Sequence, residues 1–382
     1  MTIKLFHHHV YSESITNVTE VLNSGWTGLG PVTEQFEKAV SSYLDTPHVI
    51  ALNSGTAALQ IAIACLNAPK GSYIITTSLT FISTNHSILQ AGYIPVFADI
   101  EPDTGNIDPK SVEKLLNDPF IAGRVKAIMV VHYGGLSVDM DAIYDLSNKY
   151  HIDIIEDAAH AFGAEYQGEK IGCEHSRLAC FSLHSVKPLA IGDGGLLTTY
   201  DPNIDKLARQ LRWFGIDKNT SERTSKEGYA WDYDIKLTGY KLHLNDIQAA
   251  IGLGQLKHYD NDKAYRQQLV NKYRELLASV SGIEMLKTFY DRISANHLFV
   301  IKVKERDKLM EHLRSDGIES GVHYRPSTMY RMYKNAETDG GCKNAIDFFN
   351  RCISLPLHVE LSLDDIEFIC EKIKGGIRCL RS

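Results

Sequence analysis

The stretch Ala179–Thr199, ACFSLHSVKPLAIGDGGLLTT, decides the fold because it predicts a strand, an irregular segment and a second strand. Its start is mostly apolar and its end is apolar or β-branched, which is typical of buried β-strands. Between the two ends, Pro188 and the run GDGG at 192–195 exclude a regular element. The one lysine of the stretch, Lys187, is therefore predicted to lie on a loop between two strands.

A lysine on a loop is usually a solvated charge, but the neighbours of Lys187 favour a chemical role. Ser182, His184 and Ser185 are small polar groups close to its amine, and the glycine run lets backbone approach a ligand closely. An amine that attacks a carbonyl must be neutral part of the time, which burial or nearby positive charge provides. This chemistry suits a Schiff base with a bound aldehyde such as pyridoxal phosphate.

A second stretch, IDIIEDAAHAF at 152–162, supplies a carboxylate for the same chemistry. Its apolar run is typical of a strand in a covered parallel sheet, and Asp157 stands at the end of that run. An acid in this position ordinarily solvates a loop or caps a helix. Pyridoxal phosphate, however, acts as an electron sink only while a fixed carboxylate keeps its ring nitrogen protonated.

Three motifs in this order resemble those of the DegT/DnrJ/StrS-type family of pyridoxal-phosphate sugar aminotransferases. They are DAAH at 157–160, FSLHSVKP at 181–188 and GDGG at 192–195. The likeness extends over nearly the whole chain. It implies the fold-type I architecture, an α/β fold with a mostly parallel seven-stranded sheet covered by helices and a smaller α+β C-terminal domain.

The order of the predicted elements leads to the same fold class. Strands and helices alternate from about residue 49 to 200, which indicates a mostly parallel sheet covered on both faces. No GxGxxG motif follows a strand, so a dehydrogenase-type dinucleotide fold is disfavoured. We place a large cofactor-binding domain at 1–256 and a small C-terminal domain at 257–382.

The junction between these domains contains a polar segment and two predicted helices. Residues 217–236 have no clear period and predict a long loop, of the kind that is often functional. A stretch rich in Ala and Gly then predicts one helix at 247–256, and an amphipathic pattern predicts a second at 264–280.

The composition excludes several classes of partner. The chain has 382 residues, and its net charge of −7 is spread along the sequence, which argues against nucleic-acid binding. No apolar run reaches the roughly 18 residues of a membrane-spanning helix. The first 25 residues lack a signal-peptide pattern, and the seven cysteines lack metal-binding spacing, so we expect reduced thiols in a cytoplasmic protein. Consecutive residues on a strand point to opposite faces, so His7-His8-His9 predicts a surface segment and no metal site.

The segment after the first predicted strand has the pattern of an anion site. Small polar residues from Ser54 to Thr56 precede a strongly apolar helix, whose first N–H groups and dipole face a ligand. The alternative is simple N-capping by Ser54 or Thr56. The resemblance favours the anion site, because it places the cofactor phosphate near Gly55, Thr56 and Ala57. It also implies that Phe81, otherwise a core residue, stacks on the pyridine ring.

The resemblance implies a complete set of site residues. The catalytic residues are Lys187 and Asp157. Cofactor contacts come from Gly55, Thr56, Ala57, Phe81, Asp157, His160, Ser182, Lys187 and Lys241, and substrate contacts from Trp26, Thr27, His184, His323 and Tyr324.

Two of these residues depart from the commonest family pattern. Many relatives have Asn where this chain has Lys241 and Gln where it has His160. A lysine can reach a phosphate as a point charge, and the alternative for Lys241 is a solvated loop cation. Both departures point to the subgroup that makes 4-amino sugars. By resemblance, Lys241 reaches the cofactor phosphate of the neighbouring subunit, so a homodimer with shared active sites is expected.

The implied activity is transfer of an amino group from L-glutamate to a nucleotide-linked keto-sugar, such as a 4-keto-6-deoxyhexose, for amino-sugar or lipopolysaccharide O-antigen biosynthesis. The cofactor would alternate between pyridoxal and pyridoxamine phosphate, and 2-oxoglutarate would be released. A keto-cyclitol aminotransferase and a non-catalytic regulator are the alternatives, the latter disfavoured because Lys187 and Asp157 are intact. Related dehydratases carry His in place of this lysine. The nucleotide, the sugar and the aminated carbon stay open.

Overall fold

The computed structural model describes residues 2–173, 176–217 and 233–380, so most of the polar segment predicted at 217–236 lies outside the described residues. None of the described helices is long and apolar enough to cross a membrane. The helices are α1 Ser12–Ser24, α2 Pro31–Leu44, α3 Gly55–Cys65, α4 Ile82–Gln90, α5 Pro109–Leu116, α6 Pro119–Ala122, α7 Met140–Tyr150, α8 Pro202–Arg212, α9 Asp246–Leu277, α10 Arg306–Ser315, α11 Lys343–Arg351 and α12 Leu363–Cys379. The strands are β1 His48–Leu52, β2 Tyr73–Thr77, β3 Ile94–Ala98, β4 Val125–Val131, β5 Asp153–Asp157, β6 Glu165–Tyr166, β7 Glu169–Lys170, β8 Ala179–Ser182, β9 Gly195–Thr199, β10 Ile283–Met285, β11 Arg292–Ile293, β12 Phe299–Val303 and β13 Cys352–Leu355.

The central sheet has seven strands in the order β1-β9-β8-β5-β4-β2-β3. Strands β8, β5, β4, β2 and β3 pair in parallel, and β9 runs antiparallel to its neighbours β1 and β8. The prediction of a mostly parallel seven-stranded sheet is confirmed.

Both faces of this sheet are covered, because side chains along each strand alternate between two cores. In β1, Val49 and Ala51 join a core with α2 and the first half of α9. Ile50 and Leu52 point the other way, into a core built around the apolar helix α3. Near-continuous burial of the strands follows from this arrangement and explains their apolar runs.

The carboxyl ends of β1, β2, β4, β5 and β8 lie along one edge of the sheet, where open α/β sheets bind ligands. The chain turns at this edge after β8 and returns along β9. Backbone hydrogen bonds close the turn, from Leu183 N–H to Gly194 O at 2.8 Å and from Ile191 N–H to Leu183 O at 2.9 Å. Lys187 is thus carried on a closed loop beside the end of β5.

The two helices predicted at 247–256 and 264–280 form one continuous helix, α9, so that division was wrong. The connecting residues 257–263, KHYDNDK, are polar but include neither Pro nor Gly to stop the helix. Tyr259 in this segment is buried and anchors it against the large core. Asn245 caps the helix start by accepting a hydrogen bond from the Gln248 N–H at 2.9 Å.

The C-terminal part of the chain forms a second core around the antiparallel sheet β10-β12-β13. Helices α10 and α12 and the second half of α9 cover it, with Tyr273 of α9 stacked on Phe299 of β12 at 4.5 Å between ring centroids. Helix α11 and strand β13 had not been predicted. Helix α9 contributes to both cores, so the domain boundary at 257 stays a prediction.

A glycine at the start of β9 allows two loops of the ligand-binding edge to meet. A Cβ atom on Gly195 would lie closer than 3.0 Å to the backbone carbonyl of Ser54, which precedes α3. The three nearest atoms, which are the Ser54 carbonyl oxygen and carbon and the Gly55 nitrogen, are all backbone atoms, so none can move aside at low cost.

We predict that Gly195→Ala lowers the free energy of unfolding by about 1–3 kcal/mol, because backbone must shift to admit the methyl group. Urea unfolding of the cofactor-free protein measures the effect. Gly123→Ala is the matched control, since its Cβ would meet nothing within 4 Å and its φ is −63°. Equal stability of the two variants would contradict the close contact at Gly195.

Candidate active site

A cavity of about 330 Å³ opens at the carboxyl edge of the sheet. It is bounded by the starts of α3 and α4, the end of β5, the loop after β8 and the segment that follows α10. Of the residues predicted from the sequence, the structure brings the following to its wall: Gly55, Thr56, Phe81, Asp157, His160, Ser182, His184, Lys187, His323 and Tyr324.

Asp157 is a buried carboxylate at the end of β5, with 4% of its surface exposed. Its Oδ2 accepts a hydrogen bond from the Thr84 hydroxyl at 2.6 Å, and its Oδ1 accepts one from the Ala159 N–H at 3.2 Å. Burial raises the pKa of Asp157, while these two hydrogen bonds and the charge of Lys187 act in the opposite direction. The carboxylate is therefore fixed in direction and desolvated.

Lys187 reaches the same cavity from the loop between β8 and β9. Its backbone N–H donates to the His184 carbonyl at 2.8 Å, which fixes the turn that carries the side chain. Burial lowers the pKa of the Lys187 amine from 10.5 to about 8, and the negative charge of Asp157 opposes this shift. A substantial fraction of the amine is therefore neutral near pH 8, as a nucleophilic lysine requires.

His160 lies beneath the cavity in a fixed orientation. Its Nδ1 accepts a hydrogen bond from the Gly134 backbone N–H at 3.2 Å, so the neutral ring carries its proton on Nε2. Nε2 lies 3.0 Å from the Tyr324 hydroxyl and donates to it. Burial, with the positive charge of Lys187, lowers the pKa of His160 well below its usual value. The residue is therefore a neutral hydrogen-bonding group.

The start of α3 forms the end of the cavity that suits an anion. Ser54 caps the helix by accepting a hydrogen bond from the Ala57 N–H at 3.0 Å. The backbone N–H groups of Gly55 and Thr56 have no acceptor in the described part of the chain, and both residues line the cavity. A Cβ on Gly55 would lie 2.8 Å from the Ser182 Cβ, so only glycine lets this helix start approach the end of β8.

Phe81 presents an aromatic surface to the cavity. Its side chain is 56% exposed, which is unusual for a residue of this kind at the start of a helix. Tyr324 approaches it edge-on, with ring centroids 6.0 Å apart. An exposed aromatic face beside a cavity is suited to stacking on a flat ring.

Four residues predicted from the sequence do not line this cavity. Ala57 is buried behind the helix start, and its N–H is already held by Ser54. Lys241 is exposed and pairs through its backbone with Trp213. Trp26 and Thr27 are exposed on the turn between α1 and α2, where the Trp26 indole N–H donates to the Leu29 carbonyl at 3.2 Å.

The sequence did not reveal several residues that complete the site. Thr84 bonds directly to Asp157, and Thr80 lies 2.8 Å from the Thr84 hydroxyl. Thr80 directly precedes Phe81, and Thr84 follows it, four residues after Thr80. This spacing was the signal that could have identified the two threonines. His297 lies behind His160, with ring centroids 4.4 Å apart, and no local pattern points to it.

The three histidines near the N-terminus belong to no metal cluster. In residues 2–173, 176–217 and 233–380 there is no group of three or more His, Cys, Asp and Glu arranged to hold a metal ion. His9 instead contacts Glu360, and His8 lies 3.0 Å from the Gln255 side chain.

The fold and the cavity together define a class of α/β enzymes in which a lysine amine, a buried carboxylate and a helix start face one ligand. Comparison of the sequence with protein families identifies the class more closely. The profile of the DegT/DnrJ/EryC1/StrS aminotransferase family matches residues 9–374. This chain belongs to that family, and it is a pyridoxal-phosphate-dependent sugar aminotransferase.

Individual relatives agree with this assignment. The spore coat polysaccharide biosynthesis protein SpsC of Bacillus subtilis is 35% identical over 375 residues, which cover 96% of this chain and 95% of SpsC. The Helicobacter pylori protein PseC, an aminotransferase of pseudoaminic acid biosynthesis, has a TM-score of 0.90 at 30% identity, covering 99% of this chain and all of PseC. The putative sugar aminotransferase Spr1654 of Streptococcus pneumoniae, in its pyridoxamine-phosphate form, has a TM-score of 0.91 at 29% identity and 98% coverage of both chains.

The cavity fits pyridoxal phosphate by its own chemistry. The N–H groups of Gly55 and Thr56 lack protein acceptors and suit the phosphate, while Phe81 offers a face for the pyridine ring. Asp157 is a desolvated acceptor for the protonated ring nitrogen, and Lys187 supplies an amine for the aldehyde.

We predict that chemical labelling of Lys187 in the cofactor-free protein rises with pH around a midpoint near 8. Its lowered pKa makes the amine neutral, and therefore reactive, above that value. In Asp157→Asn the midpoint should move to lower pH, because the carboxylate charge raises the pKa of Lys187. Acetic anhydride labelling followed by peptide mass spectrometry measures both midpoints.

Exposed Lys149 serves as the internal control in the same digest. Its hydrogen bond to Glu113 raises its pKa above 10.5, so its labelling midpoint lies well above that of Lys187. Equal midpoints for the two lysines would show that burial does not activate Lys187.

Proposed function

We propose that this aminotransferase moves an amino group from L-glutamate to a nucleotide-linked keto-sugar, as a step in making an amino sugar for a cell-surface glycan. The observation that carries the proposal is the convergence of Lys187 and Asp157 on one cavity, with the amine pKa lowered to about 8. A 4-keto-6-deoxyhexose or a related 4-keto sugar is the acceptor that we favour.

Pyridoxal phosphate, when bound, supplies the electron sink and the carrier for the amino group. Lys187 would hold the cofactor at its aldehyde carbon, and its amine, when free, is placed to move a proton at the donor Cα. Asp157 would hold the cofactor by accepting a hydrogen bond from its protonated ring nitrogen, and would stabilise the positive charge there. Thr84 and the Ala159 N–H hold this carboxylate in its direction.

The remaining wall residues bind and orient the ligands. Gly55 and Thr56 offer their backbone N–H groups to the phosphate at the start of α3, next to Ser182. Phe81 would hold the cofactor ring by offering its exposed aromatic face, and His160 would form part of the wall of the ring site. His160 is held neutral and oriented by its bonds to Gly134 and Tyr324, so it adds a fixed ring to this wall without adding charge.

A keto-sugar enters from the open side of the cavity. His184, His323 and Tyr324 line that wall and offer polar groups of the kind that bind sugar hydroxyls. Trp26 and Thr27 are exposed outside the cavity, where they would contact the nucleotide part. A keto-cyclitol is the second candidate acceptor. The sugar and polysaccharide functions of the relatives named above support the sugar.

The test is a panel of dTDP-, UDP- and GDP-linked 4-keto sugars incubated with the purified protein and L-glutamate. Mass spectrometry should detect an amino sugar from one of them, together with 2-oxoglutarate, and Lys187→Ala should form neither product because it lacks the amine. A product formed only from a keto-cyclitol would replace the proposed acceptor. Borohydride reduction should place the pyridoxyl mass on Lys187, and finding that mass on another lysine would overturn the mechanism.

The position of Lys241 supports a shared active site. Lys241 is exposed in the single chain and lies outside the cavity, just before helix α9. We propose that two chains form a symmetric dimer in which each Lys241 reaches the cofactor phosphate of the other chain. Such an arrangement explains why Lys241, a residue of the family motif, lies outside the cavity that the other site residues line.

We predict that mixing Lys187→Ala subunits with Lys241→Ala subunits restores activity. A mixed dimer then has one site with both lysines, so up to about half of the parental activity per dimer is expected. Turnover after subunit exchange measures the recovery, and native mass spectrometry confirms that mixed dimers form. Lys241→Ala must be impaired alone. Demonstrated exchange without recovery would rule out a site completed by the partner chain.

A further inference from the structure

A second, smaller cavity of about 40 Å³ adjoins the first on the other side of the lysine loop. Val186 and Lys187 line both cavities. The wall of the small cavity also includes His297 and, from helix α9, Asp262 and Arg266. A space of this size holds about three water molecules, which is close to the size of a carboxylate group.

Arg266 is a buried cation with unused hydrogen-bond donors. Only 5% of its surface is exposed, and its Nε and Nη2 atoms are buried without a hydrogen-bond partner in the described residues. Its guanidinium lies 5.7 Å from the centre of the Tyr259 ring, a contact that does not satisfy those N–H groups. A buried guanidinium with unused donors is costly unless an anion or water meets it.

The charges around the small cavity favour an anion. Lys187 and Arg266 are its cations, and Asp262 is the one carboxylate in its described wall. Asp262 accepts a hydrogen bond from the Tyr11 hydroxyl at 2.5 Å, which occupies its Oδ1. His297 is neutral, because burial and the charges of Lys187 and Arg266 lower its pKa well below the usual value.

We propose that Arg266 binds the α-carboxylate of the amino donor in this small cavity. The inference rests on the proposed transamination, because it names the anchor for the first substrate of that reaction. Two guanidinium N–H groups can hold a carboxylate through paired, charge-assisted hydrogen bonds.

The chemistry of the donor places its α-carboxylate next to Lys187. In transamination the donor nitrogen would replace the Lys187 amine, and the α-carboxylate is attached to the carbon next to that nitrogen. It therefore lies within a few bonds of the lysine, where the small cavity adjoins the large one. The bulky sugar substrate needs the large cavity of about 330 Å³. The amino donor and the keto-sugar would then be bound in different cavities. Each could still place its reacting carbon next to Lys187.

The experiment compares Arg266→Gln with wild type in the donor half-reaction, followed by the absorbance of the bound cofactor. The concentration of L-glutamate at half-maximal rate should rise by about tenfold to a hundredfold, as expected for loss of a charged hydrogen-bonded pair. The KM for the keto-sugar should stay within about twofold of wild type, because the sugar has no carboxylate. L-glutamine, whose side chain is neutral, should show the same loss as L-glutamate.

Arg274→Gln is the matched control. Arg274 lies on the same helix and lines neither cavity, and its side chain donates to the Leu286 carbonyl at 2.8 Å. Both KM values should stay near wild type in this variant. A direct binding readout comes from calorimetric titration of the holoenzyme with glutarate, an unreactive dicarboxylate, which Arg266→Gln should weaken by about tenfold or more.

Three results would overturn the proposal. They are an unchanged donor requirement in Arg266→Gln, an equal rise in the KM for both substrates, and a loss confined to L-glutamate, which would place the side-chain carboxylate at Arg266. If Arg266→Gln does not fold, Arg266→Lys, which keeps the charge but not the paired geometry, gives the same comparison. A wild-type protein that reacts with L-glutamate but aminates no keto-sugar would refute the proposed acceptor and leave the assignment of Arg266 standing.

Discussion

The site depends on holding a carboxylate and an amine close together with little water. Burial raises the pKa of Asp157 and lowers that of Lys187, so each group alone would be driven towards its neutral form. The charge of each group partly offsets the pKa shift of the other. The pairing of β5 with β8, which sets Asp157 opposite Cys180, brings the lysine loop to the carboxylate and so maintains this balance.

The antiparallel strand β9 is crossed by the turn that follows β1. It lies between β1 and β8, and the turn at Ser54 and Gly55 passes over its start to meet Ser182 at the end of β8. The helix start after β1 and the lysine loop after β8 therefore border the same cavity. The absence of a side chain at Gly55 and Gly195 then lets the turn before α3 rest directly on the neighbouring strands.

Local patterns predicted the parts of the structure that depend on neighbouring residues. The mostly parallel sheet and the lysine loop followed from apolar runs and from the Pro and Gly residues between them, whereas the number of strands followed from the family resemblance. The bond from Thr84 to Asp157 joins residues 73 positions apart, and His160 and Tyr324 are separated by 164 positions. Such contacts are set by the packing of the sheet and have no signature in a short stretch. The continuity of α9 was missed because its middle turn is polar, so the apolar period is interrupted where Tyr259 alone reaches the core.

Helix α9 also determines how the molecule loses its structure. Tyr259 in its first half is packed in the core of the large sheet, and Leu269 and Tyr273 in its second half are packed in the core of the small one. Fraying of α9 from either end removes buried contacts from one core. It also shortens the helix that packs against the other core. Because one continuous helix is packed in both cores, we expect the two cores to unfold together and a destabilising change in the small sheet to lower the stability of the large one.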